Sequence, residues 1–221
     1  MGRRPQLSTP VYYGNEMNLP ELLTGSLCIP TNHLCQKRTL FRMFEIAVIA
    51  LISLCCISIL WFTLKTGIAP MPSSGRVCRV ILAASEKAEQ GTIIDLGSGW
   101  GGVAFALARK YPERTVVGYE LSWLPWAWSR LCKSIFRLHN LKLYRLNFLT
   151  AQLPEASLLI CYLHPKVMQA LLKRLSSDGQ KLNTLLISNT FALPENQPVE
   201  TLRIDDLYRT PIYIYNLKDA D

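Results

Sequence analysis

Two acidic residues and a run of glycines have the types and spacing of a ligand-binding turn. Residues 92–102 read TIIDLGSGWGG, so Asp95 closes a short apolar segment and glycines follow it at alternate positions. Glycines are favoured where a turn needs positive φ or where a ligand approaches the backbone closely. Glu120 follows at the end of the next apolar segment, where a carboxylate can accept hydrogen bonds from ribose hydroxyls. These residues predict a cradle for a nucleoside ligand.

The segments around this turn alternate between strand and helix patterns, which predicts a mainly parallel sheet with right-handed crossovers. The predicted strands are 92–95, 114–120, 141–146, 156–163, 182–188, 199–204 and 210–215. The predicted helices are one capped by Ser73 or Ser74 and running to about residue 89, then 103–110, 123–139 and 165–177. The last two strands are close in sequence and predict an antiparallel pair. The fold class is therefore α/β, with a seven-stranded Rossmann-like sheet.

Two ligand fingerprints overlap on the same glycines. Gly97, Gly99 and Gly102 fit the dinucleotide pattern GxGxxG. Asp95, Gly97, Gly99 and Gly101 fit D-x-G-x-G-x-G, which resembles the first motif of class I S-adenosylmethionine-dependent methyltransferases. The acid at the strand end, the seven strands and the lack of a separate substrate domain favour the methyltransferase interpretation.

The resemblance to class I methyltransferases implies S-adenosyl-L-methionine as cofactor, with Asp95 helping to hold its ammonium group. It also implies a polar residue near the adenine after the third strand, where Asn147 stands. The predicted cofactor-binding residues are Asp95, Gly97, Ser98, Gly99, Gly101, Glu120 and Asn147. No metal is expected, because methyl transfer needs none and because Cys28, His33 and Cys35 fit no standard zinc spacing.

Tyr162 and His164 are the candidate catalytic residues on the substrate side. They lie at the carboxyl end of the fourth predicted strand, and ligands of open α/β sheets bind beyond the carboxyl ends of the strands. His164 could instead cap the helix that begins at Pro165, and the sequence leaves both roles open.

A single apolar segment precedes the predicted domain. Residues 46–64 carry no charge, and a helix of this length spans about 28 Å, close to the hydrocarbon thickness of a bilayer. No small-x-small cleavage site follows, which favours a retained span over a signal peptide. The predicted domains are a poorly ordered leader (1–42), a transmembrane helix (43–66) and a methyltransferase domain (67–221).

Charge and cysteine content restrict the partners and the cellular location that we expect for the protein. The formal net charge of +8 suits an anionic membrane surface or nucleic acid, and the apolar segment favours the membrane, with no nucleic acid expected. The seven cysteines include no CxxC pair, a pattern typical of reduced thiols. The basic flanks of the span are nearly balanced, so orientation must follow the chemistry. Since the cofactor is made in the cytosol, the domain is expected on the cytoplasmic side, or facing a compartment that imports the cofactor.

Further features resemble membrane-anchored protein-lysine methyltransferases. They are the single span, the Pro70, Pro72 and Ser73 segment, the glycine motif, and the sequence GYELSWLPWAWSR from residue 118. The resemblance implies methylation of lysine in a membrane-associated protein. A departure is that residues 162–165, YLHP, lack the Asn-Pro-Pro-Tyr of enzymes that methylate amide or base nitrogens. A lipid or hydrophobic small-molecule substrate, and a non-catalytic nucleotide-binding module, are the alternatives.

The predicted helix at 123–139 is rich in tryptophan and basic residues. They are Trp123, Trp126, Trp128, Arg130, Lys133 and Arg137. Indole rings and a basic stripe suit lipid headgroups, so contact with the membrane is one expectation. The alternative is that the tryptophans belong to the core and the charges form a solvated face.

Overall fold

The computed structural model describes residues 31–66, 73–177, 184–194 and 196–217. Contacts divide the chain into two units, Met1–Ile49 and Ala50–Asp221. The first 30 residues, which make up most of the predicted leader, lie outside the described residues.

The first helix, α1, spans Thr31–Thr66. It begins earlier than the predicted boundary at residue 43, because the polar stretch before the apolar segment contains good helix formers such as Gln36, Lys37 and Arg38. Its window Gln36–Trp61 has a mean hydropathy of 2.6, and none of that window is buried. This helix is long and apolar enough to cross a membrane.

Seven strands form one sheet in the order β3-β2-β1-β4-β5-β7-β6. The strands are β1 (Ile93–Leu96), β2 (Val116–Tyr119), β3 (Leu141–Tyr144), β4 (Leu158–Cys161), β5 (Thr184–Asn189), β6 (Glu200–Arg203) and β7 (Pro211–Leu217). Neighbours from β3 to β5 are parallel, whereas β7 runs antiparallel to both β5 and β6. The predicted α/β class, strand number and closing antiparallel pair are confirmed.

In the part of the chain that the structure describes, four further helices pack around the strands. They are α2 (Gly75–Ala84), α3 (Gly102–Lys110), α4 (Trp123–Ile135) and α5 (Pro165–Ser177), with a short 3-10 turn after α2 at Ser85–Lys87. The Ser74 side chain accepts from the backbone N–H of Val77 and so caps α2 as predicted. Helix α4 ends four residues before the predicted boundary, and Arg137 just beyond it has a positive φ of 52°, which cannot continue a helix.

The core has two parts, one on each face of the sheet. Alternate strand residues point to opposite faces, so Ile93 packs with α2 and α3, while Ile94 packs with α5. Strands β1, β2 and β4 are buried along their whole length, which explains why they read as continuous apolar runs. Because these strands are parallel and in register, the residues that follow them meet at one edge.

Candidate active site

A cavity of about 270 Å³ opens at the carboxyl ends of the parallel strands. It includes the point between β1 and β4 where the strand order reverses, the usual ligand position in open α/β sheets. The predicted site residues that line it are Asp95, Gly97, Ser98, Gly99, Glu120, Asn147, Tyr162 and His164. The structure thus brings both sides of the predicted site together, and each residue's role stays a prediction.

The glycine turn wraps tightly over the end of β2. The backbone N–H groups of Gly97 and Ser98 both donate to the carbonyl of Tyr119 at 2.9 Å. Gly97 and Gly99 have φ of 79° and 52°, a left-handed backbone that glycine adopts without a Cβ clash. Gly101 does not line the cavity; it also has a positive φ and caps the start of α3. The turn therefore presents bare backbone to the cavity, with a helix N-terminus directly behind it.

Glu120 joins the two loops that form the cradle. Its Oε2 accepts from the N–H of Gly99 at 2.8 Å and its Oε1 from the N–H of Ser122 at 2.6 Å. The residue is only 8% exposed, so this paired arrangement holds a buried carboxylate in place. Each carboxylate oxygen still has a second lone pair, which is available to a ribose hydroxyl.

Asp95 is a buried acid at the end of β1. Burial raises the pKa of its carboxyl from 3.8 to about 7, with the nearby Glu120 carboxylate adding to the rise and the backbone N–H of Ala104 opposing it. Within the described part of the chain, neither ion pair involves Asp95. A ligand ammonium placed beside this carboxylate would favour its ionised form.

Ser98 has a hydroxyl that the protein leaves unsatisfied. Its Oγ is buried and, among the described residues, has no hydrogen-bond partner. Buried polar groups are nearly always paired, so an orphan hydroxyl that lines a cavity indicates a partner supplied from outside the chain. The hydroxyl, the acid without a cation and the bare glycine turn together fit a ligand with an ammonium and hydroxyl groups, as S-adenosylmethionine has.

Asn147 lies at the cavity after β3, as predicted. Its Oδ1 accepts from the N–H of Leu149 at 3.0 Å, and its backbone carbonyl accepts from Thr150. The side chain therefore orders the loop that carries Phe148 and Leu149 along the cavity. Contact with adenine stays a prediction.

Two aromatic rings, Tyr162 and His164, line the opposite side of the cavity, and the ring of Phe191 packs against both; we call these three rings the aromatic wall. The ring centroids of Tyr162 and Phe191 are 5.8 Å apart with planes at 25°, and those of His164 and Phe191 are 6.3 Å apart. His164 also caps α5, because its Nδ1 accepts from the N–H of Lys166 at 3.3 Å. The capping alternative is thus present in the structure, and a catalytic role for His164 stays a prediction.

The end of β5 was not predicted to reach the site. Asn189 is 8% exposed and lines the cavity, and Thr190 beside it has a φ of 68°. A β-branched residue rarely adopts this left-handed region, and such strain is concentrated at functional sites. The carbonyl of Phe191 accepts from the Ser188 hydroxyl at 2.6 Å, which fixes this turn. A polar residue ending a buried strand, the same signal as Glu120, could have identified Asn189.

Comparisons with known proteins agree with this architecture. Residues 95–200 match the family model of the ANTKMT methyltransferase domain. An RNA methyltransferase from Salinibacter ruber, solved with S-adenosyl-L-homocysteine, is similar in fold, with a TM-score of 0.58 and 22% identity over 68% of this chain and 96% of that one. The putative methyltransferase yhhF from Escherichia coli has a TM-score of 0.54 and 11% identity over 68% and 89% of the two chains.

A search of curated proteins finds no match. The assignment as a methyltransferase therefore rests on the match to the domain model, on the fold and on the cradle described above. The chain is an S-adenosylmethionine-dependent methyltransferase with the class I fold, and its residues 95–200 are similar to the ANTKMT methyltransferase domain.

Proposed function

We propose that this methyltransferase is anchored in a membrane and methylates lysine side chains of membrane-associated proteins. The observation that carries the proposal is the chemistry of the aromatic wall. Among the described residues that line the cavity, the only carboxylates are Asp95 and Glu120, and both lie at the glycine turn. The acceptor side is aromatic or uncharged, apart from the titratable ring of His164.

A wall of this kind suits an amine acceptor. Lysine is nucleophilic only when its ammonium has lost a proton, and an apolar site without a carboxylate lowers the pKa of that ammonium. The ring of Tyr162, which is stacked on Phe191, offers apolar surface in the cavity to the alkyl chain of lysine. The phenol oxygen of Tyr162 can accept an N–H hydrogen bond from the amine and orient its lone pair.

The site residues would act mainly by alignment. S-adenosylmethionine, when bound, supplies an electrophilic methyl group for in-line displacement by the amine. Asp95, Glu120 and Ser98 would hold its ammonium and hydroxyl groups at the glycine turn, while the aromatic wall holds the acceptor. The lysine nitrogen would take the methyl group in place of sulfur, S-adenosylhomocysteine would leave, and the nitrogen would lose its proton to solvent. Fixing two reactants in one geometry is itself a large rate effect.

The chain's own helix supports membrane anchoring. The window Gln36–Trp61 could cross a bilayer, and only six residues separate the end of α1 at Thr66 from the described start of the domain at Ser73. The proposal places the domain on the cytoplasmic side, where S-adenosylmethionine is made. Protease digestion of intact cells that removed the domain would contradict this orientation.

Labelled S-adenosylmethionine tests the proposal. The purified full chain and a Glu120→Ala control are each incubated with the labelled compound and membranes from cells that lack the protein. Protein, lipid and RNA are then separated and counted. Label in protein with the unchanged chain, and its loss with the control, supports the proposal. Label in the lipid extract or in RNA would identify a substrate other than the proposed one. Equal label with both proteins would refute the assignment of Glu120 to the cofactor site.

A further inference from the structure

Most of the large hydrophobic side chains that the domain exposes lie on or beside α4. Among the described residues after α1, ten large hydrophobic side chains are exposed, and six of them lie on α4 or in the residues directly after α4 and β3. They are Trp123, Trp128, Leu131, Ile135, Phe136 and Leu146. We call this the α4–β3 surface. A concentration of exposed apolar side chains on one part of a domain indicates a binding surface.

The segment that carries this surface is also basic. No Asp or Glu occurs from residue 121 to residue 154. The Lys and Arg residues in this stretch are Arg130, Lys133, Arg137, Lys142 and Arg145, and all are exposed except the half-buried Lys133. Both ion pairs of the described residues lie elsewhere, at Lys87 and Lys110. The positive charge of the α4–β3 surface is therefore not neutralised by acidic side chains of its own segment.

Of the three tryptophans of α4, one is packed against the domain and two are exposed. Trp126 serves the fold, because its Nε1 donates to the carbonyl of Leu143 at 3.4 Å, and Arg130 and Arg145 lie over its ring. Trp123 and Trp128 are 55% and 51% exposed. An exposed indole has an apolar ring and an N–H donor, a combination that suits the headgroup region of a bilayer.

We propose that the α4–β3 surface docks on an anionic lipid surface, so that the domain lies against the bilayer instead of hanging from its tether. The inference rests on the proposed membrane anchoring. Basic residues near a surface of anionic lipids are attracted to it, while the apolar side chains enter the interface. Because α1 would tether the domain to the bilayer, a weak surface affinity is sufficient.

Lipid fits this surface better than nucleic acid. Phosphate backbones would attract the basic side chains of this surface equally well, but they offer nothing to exposed aliphatic side chains such as Leu131 and Ile135. These two residues and Trp128 recur at helical spacing, so they share one face of α4 and can enter the interface together.

Docking would also set the position of the active site. Trp123 follows the cavity-lining Ser122, and Leu146 precedes the cavity-lining Asn147. The Ser129 hydroxyl on α4 donates to the carbonyl of Gly99 at 3.1 Å, so the helix is joined directly to the glycine turn. With the α4–β3 surface in the headgroups, the rim of the cavity meets acceptors that emerge from the bilayer.

Hydrogen exchange in nanodiscs tests the inference on the full chain. The protein is reconstituted in nanodiscs of phosphatidylcholine, with or without phosphatidylglycerol, and exchange is followed in peptides covering residues 123–146. We expect several-fold slower exchange with phosphatidylglycerol. Replacing Arg130, Lys133 and Arg137 by Gln should abolish the slowing. The matched control replaces the exposed Arg79, Arg203 and Arg209 by Gln and should keep it.

Two measurements distinguish a failure of docking from a failure of the anchoring on which it rests. Recovery of the chain in the nanodisc fraction reports insertion of α1, and exchange in β5 reports that each variant is folded. A chain that inserts but shows equal exchange at 123–146 in both lipids overturns docking and leaves the anchoring intact. A chain that does not insert overturns both. Protection of the surface by transfer RNA in detergent, without protection by phosphatidylglycerol, would assign it to nucleic acid.

Discussion

The backbone N–H of Gly99 donates a 2.8 Å hydrogen bond to Oε2 of Glu120, which ties the glycine turn after β1 to the end of β2. The other oxygen of the same carboxylate holds Ser122 at the start of α4. One buried side chain thus organises the two loops between which a nucleoside would lie.

Glu120→Gln should weaken both folding and cofactor binding. An amide offers one acceptor oxygen, so one of the two backbone N–H groups would face an NH₂ donor and stay unsatisfied. We expect the free energy of unfolding to fall by about 1–3 kcal/mol and the dissociation constant for S-adenosylmethionine to rise at least ~10-fold. Denaturant unfolding and calorimetry measure the two effects. The exposed Glu155→Gln is the matched control and should change neither.

Asp95 should make stability depend on pH. Its carboxyl has a pKa of about 7 in the folded protein against an ordinary value of 3.8, so between these values the folded state holds a proton that the unfolded state has released. The free energy of unfolding should therefore fall as pH rises from about 4 to about 7, by up to roughly 4 kcal/mol, and then stay level. Asp95→Asn should remove this slope and be the more stable protein above about pH 7. Equal slopes in the two proteins would contradict the raised pKa.

The same carboxyl should make cofactor binding depend on pH in the opposite sense. An ammonium ligand favours ionised Asp95, so affinity should rise by up to ~10-fold between about pH 6 and about pH 7, with a proton released on binding. Calorimetry of S-adenosylhomocysteine binding in two buffers of different ionisation enthalpy measures that proton. Binding that releases no proton at about pH 6 would show that the ligand ammonium does not face Asp95.

Gly97→Ala and Gly102→Ala should differ in how much they lower the free energy of unfolding. Gly97 has a φ of 79°, and a side chain in this region costs about 1–2 kcal/mol although its Cβ would meet only Leu163 at 3.5 Å. Gly102 begins α3 with ordinary φ, and a Cβ there would meet nothing within 4 Å. Thermal unfolding should show loss of stability for the first variant and none for the second. Equal loss would contradict the strained turn.

Thr190→Gly tests whether the strained end of β5 positions the acceptor. Glycine adopts a φ of 68° freely, so stability should stay level or rise by up to about 1 kcal/mol. Methyl transfer should nevertheless fall, because Asn189 and Phe191 lose their fixed positions beside Tyr162. The affinity for S-adenosylmethionine should not change. Unchanged turnover in this variant would show that the turn serves only the fold.

Local signals carried most of what the sequence could predict. Asp95 is a sequence neighbour of the glycine turn, and Glu120 directly follows a short strand. Strands β1, β2 and β4 can be recognised by their unbroken apolar runs. Helix α5 begins and ends where its Pro165 and polar end predict. In these segments, the residues that decide the structure are neighbours in the sequence.

The rest depends on packing between distant segments. Phe191 reaches Tyr162 only because β5 pairs with β4, and nothing near Phe191 in the sequence indicates that pairing. The tryptophans of α4 are three residues of one type, yet Trp126 is packed while Trp123 and Trp128 are exposed. Which side of α4 turns inward is set by its contacts with β3 and with the glycine turn.

Mass spectrometry of the methylated product tests the central claim most directly. Membranes lacking the protein are incubated with the purified chain and S-adenosylmethionine, and the modified proteins are digested and fragmented to locate the methyl group. We expect methyl groups on lysine side-chain nitrogen in membrane-associated proteins, and their absence when Asp95→Asn replaces the unchanged chain. Methyl groups found only on another type of residue, on lipid or on RNA would contradict it.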